Sequence, residues 1–137
     1  MVLDRLFGRR DAEPKPAPAG TEVQRLQDAL TALVRRVNAA AGRLPTAVVP
    51  QVRRLEDLLR ELLNHAAQTG GGVEEMISLT AVVTDYLPTS VDAFLALPPG
   101  FAATHRNDAG TSPGEELLAQ LQVLEAAVRE LAAAAYA

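Results

Sequence analysis

The chain predicts an all-α fold: four long helices plus one short helix in an antiparallel bundle, with an extended N-terminal arm. Three observations carry that prediction. Hydrophobic residues make up 48% of the 137 residues but aromatics only 4%, so the core is built from Leu, Val and Ala, the material of helix-on-helix packing. Apolar residues recur three and four apart through most of the chain, the period of a half-buried helix. Clusters of Gly and Pro break that pattern at intervals suited to helix ends.

The first unit is residues 1–10. Val2, Leu3, Leu6 and Phe7 fall at helical spacing, and Asp4, Arg5, Arg9 and Arg10 fall elsewhere. Residues 11–20 follow as a spacer in which Pro14, Pro16 and Pro18 alternate with other residues, a composition that favours a stiff, extended, solvated chain. The bundle itself is expected over 21–137.

Helix one is expected from Thr21 to about Ala41, with Thr21 and Gln24 as a capping box. Its stripe is Val23, Leu26, Leu30, Leu33 and Val37, and Gly42 stops it. Helix two is expected from near Pro45 or Thr46 to Gln68. Pro50 is tolerated only if it falls in the first turn, where no N–H is yet bonded within the helix. Val52, Leu55, Leu59, Leu62 and Ala66 form its stripe. The Gly70-Gly71-Gly72 run ends it. Helix three is expected from Val73 to Leu87, with Met76, Thr80, Val83 and Leu87 inward and Ile77, Ala81 and Val82 beside them. Pro88 disfavours helical geometry at Leu87, so a stop or kink is expected there. A short fourth helix then runs from a Thr89 or Ser90 cap to about Leu97, and Pro98-Pro99-Gly100 terminates it. Phe101 to Thr111 reads as a polar loop. Ser112-Pro113-Gly114-Glu115 is the clearest helix start: a cap, a proline at the first helical position and a carboxylate three residues on. Helix five carries Leu117, Leu121, Leu124, Val128 and Leu131 in a coiled-coil-like seam to about Ala135.

Charge bounds the function classes. The net charge is −4. Residues 1–43 are mildly basic, and from Thr69 onward only Arg106 and Arg129 oppose the acids. The expected consequence is that basic and acidic helices lie side by side and complement each other. An acidic chain without aromatics interleaved among its arginines does not fit a nucleic-acid groove. The chain has no Cys, which excludes disulfides and thiolate metal sites or nucleophiles. No run of roughly 20 apolar residues suits a membrane span. Residues 1–10 lack a secretory core. A cytoplasmic location follows as an expectation, with peripheral attachment to the inner membrane as an option.

Catalytic constellations are scarce. His65 is expected exposed in the last turn of helix two. His105 sits in the loop beside Arg106, Asn107 and Asp108. Glu61 and His65 share a helix face, but a di-metal bundle site needs a second Glu-His pair. Glu56, Asp57 and Glu61 read as solvated partners of Arg53, Arg54 and Arg60. Tyr86, Phe94 and Phe101 are expected to pack at the corner of the bundle. No cofactor is called for, and enzymatic activity is not the favoured reading.

Tyr86-Leu87-Pro88, then Phe94-Leu95-Ala96-Leu97-Pro98, a loop and a final Leu-rich helix resemble a bacterial family of 5-bromo-4-chloroindolyl phosphate hydrolysis proteins, linked to toxic-anion-resistance proteins. Leu44-Pro45 leading into helix two is similar as well. The resemblance implies a helical architecture and, through the family's label, hydrolysis of a phosphate ester. It brings no catalytic residue with it.

The leading expectation is a non-enzymatic helical-bundle interaction protein. It docks to a partner protein or an anionic membrane surface through Val2, Leu3, Arg5, Leu6, Phe7, Arg9 and Arg10. One peptide of this size binds only marginally, because the roughly 6–8 kcal/mol from burying four apolar side chains is matched by the cost of ordering them. The alternative for residues 1–10 is a leader that folds back on the domain or does nothing. The alternatives for the whole chain are a phosphate-ester hydrolase and a subunit of a larger assembly in which the helix-five seam pairs with another chain, a homo-oligomer being one form of it.

Overall fold

The computed structural model describes residues 19–137, so residues 1–10 and most of the spacer lie outside the described residues. The described elements are α1 (Ala19–Ala39), a 3-10 turn (Ala41–Arg43), α2 (Val48–Thr69), α3 (Val73–Ala81), a π-helical turn (Val82–Tyr86), α4 (Leu87–Leu95), α5 (Pro99–Thr104) and α6 (Pro113–Tyr136). There is no strand among the described residues. The all-α bundle is therefore the fold. It has four long helical runs, because α3, the π turn and α4 form one uninterrupted rod.

Side-chain bonds give the helix directions. Gln27 Nε2 donates to Asn64 Oδ1 at 3.1 Å, and Arg60 Nη2 donates to Thr31 Oγ1 at 3.0 Å. Residue numbers rise along α1 as they fall along α2, so the two are antiparallel. Along α4 and α6, Tyr86 lies by Val123 and Phe94 lies by Leu117, so this pair is antiparallel too. The two hairpins meet with parallel neighbours. Arg36 bridges Asp92 at 2.7 Å between α1 and α4. Arg54 bridges Glu125 at 3.5 Å between α2 and α6. These two bridges join the basic half of the chain to the acidic half, as the charge pattern predicts. The first is solvent-facing and the second exposed on its Arg54 side, and pairs of this kind are worth roughly 0–1 kcal/mol each, so they select orientation more than they stabilise.

Stability comes from the core between the four runs. Leu30, Leu33, Leu55, Leu59, Leu62, Leu63, Leu79, Leu87 and Leu121 are fully enclosed. Each such side chain contributes about 1.5–3 kcal/mol relative to exposure. The stripes expected on helices one and two are all buried. In α6, Leu117, Leu121 and Val128 are buried inside the bundle, while Leu124 and Leu131 pack at its edge. The seam is thus spent on the chain's own core.

Several element ends differ from expectation, each for a local reason. α1 begins at Ala19, so Thr21 lies inside the helix, and Gln24 donates to Asp28 Oδ1 instead of closing a capping box. It ends at Ala39, where the Ala40 N–H is shared between the carbonyls of Arg36 and Val37. This tightens the chain into the 3-10 turn that contains Gly42, so Gly42 is not the stop. α2 starts at Val48, which places Pro50 in the first turn, where its missing N–H does no harm. Gly70 closes α2 with φ 87°, its N–H bonded to the Ala66 carbonyl. That left-handed geometry suits glycine alone among common residues.

The largest correction is at Pro88. The helix neither stops nor restarts there. The Leu87 N–H bonds to the Val82 carbonyl, five residues back, and Leu87 itself is helical at φ −69°, ψ −51°. In an ordinary α-helix the proline ring clashes with the carbonyl four residues earlier. The wider π turn just before Pro88 relieves that clash and keeps the rod continuous. Thr89 and Ser90 are therefore not caps. Thr89 Oγ1 donates to Asp85 Oδ1 at 3.2 Å, and Ser90 Oγ donates to the Tyr86 carbonyl at 2.9 Å. The one short α-helix is α5 instead, built on the residues expected to be a stop and a loop. Pro99 occupies its first turn, and Pro98 enters it extended at φ −59°, ψ 138°, the placement prolines favour at a helix start.

The hairpin tips lie at one end of the bundle and are locked there. A Cβ on Gly114 would stand 2.8 Å from Pro45 Cγ, so the first turn of α6 sits directly on the loop before α2. Gly114→Ala should therefore lower stability by about 1–2 kcal/mol despite alanine's better helix propensity, measured as a shift of the urea midpoint. Ser112, which accepts the Glu115 N–H at 3.2 Å, should cost about 1 kcal/mol when changed to Ala in the same titration.

Candidate docking surfaces

Two apolar clefts and one polar cluster stand out among the described residues. The first cleft is a trough between α4 and α6 of about 560 Å³, walled by Tyr86, Thr89, Ser90, Val123 and Leu124. Ala93 and Ala119 lie in its lining. Small residues there let an incoming backbone come close. Tyr86 is 53% exposed and Val123 69% exposed, both large for surface apolar groups. The π turn produces this arrangement. It places Tyr86 on the outer face and the next residue, Leu87, wholly in the core. The expectation that Tyr86 packs into the corner is thus corrected. Asp85 is the only charged residue lining the trough.

The second cleft, of about 620 Å³, lies between the start of α1 and α3, lined by Glu22, Gly71, Val73, Met76, Ile77 and Ala81 among others. Val73 is 78% exposed and Ile77 63% exposed. Met76 is buried as expected, but Ile77 and Thr80, expected near the core, face out, and Leu79 is enclosed in their place. α3 is apolar on several sides, so periodicity alone does not fix its inner face.

The polar cluster sits where α2 and α6 end. His65 is half-buried, not exposed as expected, because the Tyr136 ring covers it edge-on at 5.0 Å. His65 Nδ1 and Glu75 Oε2 are enclosed without a hydrogen-bond partner among the described residues. Burial lifts the Tyr136 phenol above its usual value, and the Glu61 and Glu75 carboxylates add to the effect. No three His, Asp or Glu side chains among the described residues stand close enough to hold a metal ion.

Several of the remaining sequence candidates have local structural partners. His105 is exposed and stacks on Phe101 at 4.2 Å, 15° from coplanar. Phe101 is exposed too and so is not a core residue; Phe94 is buried. Asn107 organises the loop: its Oδ1 accepts the N–H groups of Ala109 and Thr111, and its Nδ2 donates to Glu116 Oε2 at 2.8 Å. Asp108 is exposed. Arg60 pairs with Glu56 at 2.9 Å, as expected, and also donates to Gln27. Arg54 reaches Glu125 on α6 rather than a neighbour on its own helix. Val2, Leu3, Arg5, Leu6, Phe7, Arg9 and Arg10 lie outside the described residues.

The Ser112 backbone N–H holds the Glu115 carboxyl below its ordinary value, and the Arg106 guanidinium adds to this. A carboxyl depressed in the folded state stabilises above its unfolded pKa, and the effect is lost as pH falls through the folded value. Thermal melts should show Glu115→Gln losing stability at neutral pH, with the gap to the wild-type chain closing under acid conditions.

No family model, curated protein or solved structure matches the chain. No described helix is long and apolar enough to cross a membrane.

Proposed function

We propose that the protein is a non-enzymatic interaction module. Its bundle receives an amphipathic helix of a partner protein in the α4–α6 trough, and residues 1–10 form a second, tethered docking segment. The trough carries this reading: Tyr86 and Val123 stand exposed over Ala93 and Ala119 between two antiparallel helices. A helix laid in such a groove buries its apolar face at the spacing of the groove's own walls. Aromatic side chains at the centre of a contact are the usual anchors of binding energy. Asp85 on the wall favours a partner helix with a basic flank. Support for residues 1–10 comes from their composition, with Val2, Leu3, Leu6 and Phe7 beside three arginine side chains on a proline-rich tether.

A partner recovered by the full chain should be lost with Tyr86→Asp or Val123→Asp, at wild-type melting temperature, since both positions are exposed. Deleting residues 1–12 should weaken recovery, or abolish co-sedimentation with phosphatidylglycerol vesicles, and leave the helical circular dichroism unchanged. Recovery indifferent to all three changes would overturn the reading. So would turnover of a chromogenic phosphate ester that is lost on His105→Ala or Asp108→Ala.

A further inference from the structure

We infer that the cleft between α1 and α3 is the resting dock for residues 2–7 of the same chain, so that the tethered segment is sheltered until a partner or membrane competes for it. This rests on the reading of residues 1–10 as a docking segment and adds where that segment sits when unengaged.

Position is the first argument. The described chain starts at Ala19, the first residue of α1, and Glu22, one turn on, lines the cleft. Residues 8–18 are all that separate residues 2–7 from that point. Fully extended, they reach roughly 34 Å, ample for a surface that begins beside their root. A tether this short gives an effective concentration in the millimolar range, so a contact too weak to form between separate molecules becomes populated within one.

Chemistry is the second argument. Val73 and Ile77 are one helical turn apart on α3 and are two of the most exposed large apolar side chains among the described residues. Met76 and Ala81 continue the apolar lining. Val2, Leu3, Leu6 and Phe7 supply a matching face at helical spacing. Charge agrees in sign. Residues 1–10 carry Arg5, Arg9 and Arg10 against Asp4, while Glu22 lines the cleft and Glu74 stands exposed in the first turn of α3. No Lys or Arg lies between Arg60 and Arg106, so nothing on α3 or α4 opposes a basic segment. The α4–α6 trough offers only Asp85.

The test exploits the absence of cysteine. A nitroxide is placed on the full chain at Thr80→Cys, in the cleft lining, or at Gln24→Cys, on α1 close in sequence to the tether root but outside that lining. In the ¹⁵N-labelled protein the amides of residues 2–7 should broaden severalfold more from position 80 than from position 24. Adding Val73→Asp and Ile77→Asp to the position-80 protein should remove the difference; both sites are exposed, so the bundle remains folded. Equal broadening from the two labels overturns the inference, because tethering alone then explains proximity. Broadening that appears when ¹⁵N chain is mixed with unlabelled, spin-labelled chain also overturns it, assigning the cleft to a second copy. Neither result depends on whether an external partner exists, so the docking reading itself stands or falls separately.

Discussion

The wide turn before Pro88 is the constraint from which the rest of the architecture follows. A helix of ordinary pitch could not carry a proline at that position without losing a bond and colliding with the preceding turn. Inserting one i→i+5 turn at Val82–Tyr86 keeps the rod whole from Val73 to Leu95. Continuity then lets one helix serve two neighbours. Its middle turn packs along α1, its second half packs along α6, and Leu79, Val83, Leu87 and Val91 form an unbroken buried line. A true break at Leu87 would free α4 to choose its own angle, and the Arg36–Asp92 bridge between α1 and α4 would have no fixed geometry.

The same turn also carries an exposed and an enclosed side chain on consecutive residues. Leu87 is wholly enclosed and Tyr86 is half exposed. Hydroxyls of Thr84 and Ser90 give the carbonyls of Thr80 and Tyr86 an additional donor on either side of it. Such back-bonding satisfies carbonyls whose ladder is disturbed. The trough is therefore a by-product of how the core accommodates one proline. Its walls rest on a rigid rod rather than on a loop.

Sequence patterning and structure agree where the helical period runs without interruption. The stripes of α1 and α2, the Ser112 capping box and the inward Leu117, Leu121 and Val128 were legible because each depends on residues within a few turns of one another. Prolines were the obstacle. Pro88 reads as a terminator, yet a π turn rescues it. Pro98-Pro99 reads as a stop, yet Pro99 opens α5. Both outcomes rest on backbone bonding on either side of the proline, the Leu87 N–H reaching the Val82 carbonyl and the Ala102 N–H reaching the Pro98 carbonyl, which the apolar period does not encode. The inner face of α3 was equally hidden, since Val73, Met76, Ile77 and Leu79 offer more than one apolar stripe and only packing against α1 and α2 selects among them. The trough belongs to two helices distant in sequence, so no single window of the chain announces it.

The two ends of the bundle are built differently. At one, the hairpin tips interlock, with Pro45 against Gly114 and Arg43 donating to the Leu95 carbonyl. At the other, the start of α1, the end of α6 and the Gly70-Gly71 joint meet, both glycines at positive φ. The bundle is thus clasped by side-chain contacts at its tips and turned by bare glycine backbone at the far end, where a residue bearing a Cβ would strain the joint between α2 and α3.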